Sequence, residues 1–133
     1  MAHNATLKLG AKNYKIIECE YEIVQPVKEN GQPAGHPTSG IITLSVVTPD
    51  NSDMYLHSWM QSPTEHKDGM ILFEVVNKGL PSKKNLFFRR AYCVRLYEYF
   101  NGQGEGQMYT KLTLSATEIS FGELGTVIFK NDF

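Results

Sequence analysis

The spacing of apolar and polar residues along the chain predicts β-strands almost throughout. Apolar and polar residues alternate in Ala5–Leu9, Tyr14–Gln25 and Gly40–Thr48, as expected for strands with one face in a core and the other in water. Further strands are predicted at Met70–Asn77 and Thr126–Lys130. Turns rich in Gly, Asn and Pro separate these runs. The pattern therefore predicts a mainly β domain of antiparallel strands.

Two runs near the C-terminus are unusually long for strands. Leu86–Phe100 and Met108–Ser120 are each more than twice the length of a typical strand of about five or six residues, and a Gly-rich segment joins them. The first run is apolar or aromatic on both parities, which would place Phe88 on one face and Cys93 on the other. Something should therefore cover the second face, either the rest of a barrel or a neighbouring subunit.

One short helix is predicted at Asp53–Gln61, where turn residues precede it and Pro63 ends it. Leu56, Trp59 and Met60 share one face of this helix and are predicted to be buried. The helix would either plug an open end or side of a barrel or pack on the face of a sandwich. The sequence leaves both arrangements open.

Five strand residues are predicted to belong to the core, namely Cys19, Tyr21, Cys93, Leu112 and Leu114. Neither cysteine belongs to a CxxC motif or has His or Asp at metal-ligand spacing. We therefore expect buried, reduced thiols and no metal site.

Length and charge exclude several classes of function. The 133 residues predict one domain over residues 1–133, and a net charge of −1 gives no long-range attraction to nucleic acid or an anionic membrane. The N-terminus has no apolar signal region, and no apolar stretch approaches the roughly 18 residues of a membrane span. We expect a cytoplasmic protein without membrane insertion, which would leave the cell without a signal peptide.

The sequence offers little for catalysis. It contains no GxSxG, HExxH or Walker motif. His57 and His66 are expected to be exposed polar residues. Glu18, Glu20 and Glu22 share the outer face of one strand, where they would form a solvated edge or pair with cations of a neighbouring chain. We therefore expect neither an enzyme nor a bound cofactor.

The ordered set of segments resembles the type VI secretion tube proteins of the Hcp/TssD family, especially the variants of Bacteroidota. The resemblance covers nearly the whole chain and rests on Ala5–Leu9, Cys19–Tyr21, Asn30–Pro33, Gly40–Leu44, Trp59-Met60, Asp68–Ile71, Ala91–Val94, Tyr97–Phe100 and Leu112–Ala116. It implies a compact β-barrel of two antiparallel sheets with one short helix. It also implies homohexameric rings that stack into a tube, partnered by a sheath, a spike and effectors carried in the lumen, and expelled through the secretion apparatus.

The resemblance further implies that an extended loop reaches neighbouring subunits or rings. Pro26–Ser39 is the corresponding segment, and its candidate contact residues are Pro26, Val27, Lys28, Asn30, Gly31, Pro33, His36 and Pro37. Two other readings stay open, a barrel that binds a small ligand and a phage-tail tube subunit. A ligand barrel would be monomeric, whereas either tube protein would form rings.

Overall fold

The computed structural model describes residues 3–24, 27–33, 39–50, 52–104, 107–122 and 126–130. Within these ranges the chain forms eight strands and one helix. They follow in the order β1 (Asn4–Leu9), β2 (Lys12–Val24), β3 (Ser39–Val47), α1 (Tyr55–Gln61), β4 (Lys67–Asn77), β5 (Leu80–Asn101), β6 (Gln107–Ser115), β7 (Glu118–Phe121) and β8 (Thr126–Lys130).

The strands form a closed barrel. Hydrogen bonds join them in the order β4-β1-β2-β3-β6-β5-β7-β8, and an additional pairing of β4 with β5 closes the first six into a ring. All of these pairings are antiparallel. The prediction of a mainly β barrel with one short helix is confirmed. The hydrogen bonding runs through one continuous sheet, where two sheets were expected.

Strand β5 closes the barrel because it changes partner along its length. Its first part, up to Ala91, pairs with β4, and its second part, from Tyr92, pairs with β6. An extra residue enters β5 near Arg90, whose φ is +47°, and the register with β6 shifts again at Val94. Such bulges bend a strand and turn its side chains to the other face.

These bulges overturn the alternation inferred from the sequence. Because the Arg90 bulge adds one residue between them, Phe88 and Cys93 both face the core, although the sequence pattern placed them on opposite faces. The second face of β5 is partly open to solvent, and Tyr97 and Tyr99 are exposed there. The predicted strand Met108–Ser120 is also two strands, because its register breaks opposite the Arg90 bulge.

The inside of the barrel is filled by side chains. Leu112 and Leu114 are fully buried, and Cys93 is buried beside them. Cys19 and Tyr21 are partly buried and pack against this core. The core-facing residues of β3 are equally inaccessible, so the interior is packed as a solid core.

The helix joins this core through one narrow stripe. Leu56 and Trp59 are fully buried, and Nε1 of Trp59 donates a hydrogen bond of 3.1 Å to the carbonyl of Ala91. Met60, expected in the same stripe, is 36% exposed. Within the last turn of this seven-residue helix, Trp59 is buried, whereas the side chain of the neighbouring Met60 borders solvent. The helix begins at Tyr55, two residues after the predicted start at Asp53.

A hydrogen-bond network ties the helix to β5, β6 and the segment that follows β3. Nε2 of His57 donates to Oε1 of Glu98 at 3.0 Å, and the Thr110 hydroxyl donates to Oε2 of Glu98 at 2.6 Å. The Thr48 hydroxyl lies 2.8 Å from that of Thr110. Burial raises the pKa of Glu98, but the bonds from Thr110 and His57 outweigh it and hold the pKa below its ordinary value. His57 is thus part of the fold and not an exposed residue as expected.

Removing the buried indole should weaken the fold itself. We expect Trp59→Ala to lower the free energy of unfolding by about 3–5 kcal/mol, the usual loss for a buried large aromatic side chain. Met60→Ala is the matched control on the same helix and should change it by less than about 0.5 kcal/mol. Chemical denaturation measures both variants. Equal midpoints for the two would contradict the burial of Trp59.

The network predicts a pH-dependent contribution from Glu98. Because its pKa is lower in the folded protein than in the unfolded chain, its carboxylate stabilises the fold above the ordinary value of 4.5. This contribution is lost as the pH falls through the pKa of the folded protein. The difference in urea midpoint between the wild type and Glu98→Gln should therefore shrink in acid. A difference independent of pH would show that the charge on Glu98 contributes nothing.

Candidate assembly surfaces

The connections between strands gather at two ends of the barrel, because neighbouring strands run in opposite directions. The end that holds the β2–β3 connection and the β4–β5 turn is called the hairpin end. The opposite end holds the β1–β2 turn, the segment that leads from β3 into α1, and the β5–β6 connection, and is called the helix end.

The described part of the loop inferred from the resemblance, residues 27–33, follows β2 at the hairpin end. Val27 and Pro33 form a β-bridge, and the Lys28 amide donates to the Gln32 carbonyl at 2.8 Å, so this part of the loop is a small closed turn. Its described candidate contact residues are all exposed: Val27, Lys28, Asn30, Gly31 and Pro33. The other three, Pro26, His36 and Pro37, lie outside the described residues.

A second projection at this end was missed by sequence reasoning. Residues 75–82, called the β4–β5 arm, pair only with each other among the described residues. Val75 is 41% exposed and Leu80 is 70% exposed. Lys78 and Gly79 form the turn with φ values of +52° and +79°, the left-handed pair of a tight hairpin. The Lys78-Gly79 turn next to apolar strands was the signal that could have revealed the arm.

The helix end carries an open recess of about 460 Å³. Its lining is apolar and acidic and comprises Thr48, Pro49, Asp50, Asp53, Met54, His57, Glu98 and Met108. Burial raises the pKa of Asp53, but hydrogen bonds from the Tyr55 amide and the Tyr14 hydroxyl and the charge of Lys12 hold it below its ordinary value. The recess therefore holds negative charge near neutral pH.

The outer face of β2, β3, β6 and β5 has a polarised charge pattern. Glu20, Thr43, Thr113 and Arg95 form one row across the four strands. The glutamates predicted from the sequence occupy β2 at one side of this face, and the cations Arg95 and Lys111 lie at the other side. The face is therefore acidic toward one edge and basic toward the other.

Aromatic side chains extend the basic side of this face. The ring centroids of Tyr97 and Tyr99 lie 5.9 Å apart, and those of Tyr99 and Tyr109 lie 5.2 Å apart. Tyrosine rings supply contact area with few rotatable bonds, which suits a protein interface. Tyr97 and Tyr99 belong to the run that the sequence showed as apolar or aromatic on both faces and in need of a cover.

Both edges of the same four-stranded region lack a partner strand within the described residues. Strand β2 pairs with β1 only up to Ile16, and β5 pairs with β4 only up to Ala91. The remaining lengths, to Val24 and to Asn101, are paired on one side alone. Unpaired edges of this kind are sites at which another chain can add a strand.

The cysteines provide no reactive site. Burial raises the pKa of the Cys19 thiol to about 11, and the nearby charge of Glu20 adds to this effect. Burial likewise raises the pKa of Cys93 to about 11. Thiols with a raised pKa are poor nucleophiles at neutral pH. Within the described ranges, no group of three His, Cys, Asp or Glu is placed to hold a metal ion, and no helix is long and apolar enough to cross a membrane.

Comparison with known proteins places this barrel in a family. The family model for hemolysin coregulated protein Hcp (TssD) matches residues 1–132. Hcp1 from Flavobacterium johnsoniae is similar to this chain with a TM-score of 0.77 and 27% sequence identity, over 96% of this chain and 99% of that chain. A search of curated proteins found no match.

More distant structures share the fold. The secreted protein Hcp3 from Pseudomonas aeruginosa has a TM-score of 0.67 and 12% identity, over 95% of each chain. The sheath/tube terminator of an extracellular contractile injection system, PVC, has a TM-score of 0.59 and 17% identity, over 89% of this chain and 92% of that chain. With the family match over almost its full length, the chain belongs to the Hcp (TssD) family of type VI secretion tube proteins.

Proposed function

We propose that this chain forms hexameric rings that stack into the inner tube of a type VI secretion system. The observation that carries the proposal is the pair of unpaired edges on one four-stranded region, with opposite charge beside them. Family membership supplies the expectation of six subunits and of a tube.

The direction of the two edge strands suits ring closure. Strand β2 runs toward the hairpin end and β5 runs toward the helix end. When identical subunits stand side by side in the same orientation, the β2 edge of one meets the β5 edge of the next in antiparallel fashion. This contact joins two different patches, and such heterologous contacts close into rings when the rotation permits.

The charges near these edges favour the same contact. Glu20 lies on β2 between Glu18 and Glu22, and Arg95 lies on the free half of β5. Joining the edges brings these glutamates beside the Arg95 guanidinium of the neighbouring subunit. Opposite charges across an interface select the partner and the register, whereas like charges disfavour any other pairing of the edges.

The joined sheets would line the lumen of the tube. The four-stranded region is one wall of each barrel, and the rest of the barrel lies behind it. In a ring, this bulkier part needs the larger circumference, so it faces outward, toward the sheath. The face with Glu20, Thr43, Thr113 and Arg95 then faces the lumen, where effectors would travel. The tube would assemble in the cytoplasm and be expelled with a spike at its tip.

The ligand-barrel alternative is disfavoured by the packed interior. Ile42, Leu44 and Leu114 are at most 1% exposed, and side chains fill the space that a ligand would occupy. A phage-tail tube subunit would use the same ring geometry, and the genes that accompany this one distinguish the two.

The charge pattern predicts a rescue experiment. Glu20→Arg or Arg95→Glu alone should weaken the ring at least about tenfold, because each places like charges at the subunit contact. The double variant restores opposite charges and should recover much of the loss. Native mass spectrometry over a dilution series measures the hexamer fraction.

Glu29→Lys is the matched control, because it reverses an exposed charge in the β2–β3 connection, outside both edge strands. It should leave the ring unchanged. A monomeric wild type at all concentrations would contradict the ring. A double variant no better than the single ones would contradict the contact between the β2 and β5 edges.

The β2–β3 loop is expected to act in assembly and not in folding. Its described residues are exposed and contribute nothing to the core, so replacing Val27–Thr38 with a short Gly-Ser turn should leave a cooperatively folded β protein. We expect this protein to form rings but no stacked tubes. Circular dichroism tests the fold, and electron microscopy and secretion assays test the assembly. Normal tubes and secretion would refute the assigned role.

A further inference from the structure

The β4–β5 arm carries an apolar stripe out of the barrel. Ile71 is fully buried, Phe73 is partly buried two residues on, and Val75 is 41% exposed after two more. Leu80 is on the same face, because it pairs with Asn77 in the hairpin register. The face that belongs to the core inside the barrel therefore continues into solvent at the hairpin end, and it ends at an exposed leucine.

We propose that the tip of this arm docks into the recess at the helix end of a second copy of this chain, in the next ring of the stack. The inference rests on the proposed function, because it adds an axial contact to the rings described above. It assigns the contact to the β4–β5 arm and the recess, neither of which belongs to the β2–β3 loop.

The polarity of a stack brings these two surfaces together. When rings of one orientation are stacked, the hairpin end of each ring faces the helix end of the next. A projection at one end therefore meets the opposite end of another copy at every level. Contact between two arm tips would require one ring to be turned over, which would end the tube.

The chemistry of the two surfaces is complementary. The recess exposes the side chains of Met54 and Met108, which are 48% and 42% accessible and flexible enough to adapt to an entering apolar group. Leu80 supplies such a group, and Lys78 lies beside it at the turn.

The carboxylates around the recess are negatively charged and would attract the ammonium group of Lys78. Asp50, Asp53 and Glu98 contribute carboxylates to the lining, and their pKa values are lowered. Lys12 lies 3.4 Å from Asp53, and Nε2 of His57 lies 3.0 Å from Glu98. These partners offset part of the negative charge, whereas the carboxylate of Asp50 accepts hydrogen bonds only from Ser52 among the described residues. Asp50 is therefore the carboxylate best placed to attract Lys78.

Engineered cysteines test the contact directly. Leu80→Cys is combined with Met54→Cys or with Met108→Cys, and the ring-forming protein is treated with a mild oxidant. Because each copy links to one copy above and one below, we expect a ladder of covalent oligomers on a non-reducing gel. Leu80→Cys with Lys15→Cys is the matched control, since Lys15 is exposed on β2 outside the recess. It should give no ladder.

The outcomes separate this inference from the ring proposal. Hexamers without a ladder from either pair would overturn the docking and leave the ring standing. A ladder without hexamers would support the docking and refute the ring. Covalent dimers from Leu80→Cys alone would show contact between arm tips and overturn the assigned partner.

A second variant keeps the test independent of oxidation. Leu80 lies outside the core, so Leu80→Asp should preserve the fold and the hexamer. It should reduce the yield of stacked tubes at least about tenfold, because it puts a carboxylate into an acidic recess. Tubes of normal length and number from this variant would overturn the inference.

Discussion

The change of hydrogen-bond partner along β5 is the constraint on which the rest of this structure depends. Up to Ala91, β5 pairs with β4, and this pairing closes the barrel. From Tyr92 onward, β5 continues as a strand that pairs with β6. The helix is anchored at the junction, where the Trp59 indole donates to the Ala91 carbonyl. Because β4 pairs with β5 only up to Ala91, one edge of β5 beyond this point has no partner strand among the described residues. A single packed core therefore also creates the surface with which a neighbour can pair.

The features to which the proposed assembly assigns contacts all lie outside the packed core. The barrel interior is filled, and the raised pKa values of the thiols keep them protonated at neutral pH. The surface features are two strand edges, a charged face, an arm and a recess. The two strand edges lie on opposite sides of the four-stranded region, and the arm and the recess lie at opposite ends of the barrel. Identical copies can therefore join both side by side and end to end.

The sequence predicted the strands, the short helix and the burial of Trp59, because alternation and helical spacing are local signals. It placed Phe88 and Cys93 on opposite faces, since bulges are set by the pairing partners and not by hydrophobic spacing. Met60 was placed in the core because spacing alone does not reveal how narrow the buried stripe of a short helix is. The Lys78-Gly79 turn could have indicated a hairpin, but the exposure of the β4–β5 arm depends on where the neighbouring strands end.

Amide hydrogen exchange tests the central claim, edge-to-edge pairing of β2 with β5, most directly. The protein is compared in its assembled form and after dissociation by dilution, and peptides covering Glu18–Ile23 and Tyr92–Phe100 are followed. New backbone hydrogen bonds slow exchange. The account predicts that both segments gain protection on assembly, while β3, paired on both sides within each subunit, changes little. Assembled rings in which neither edge gains protection would contradict it.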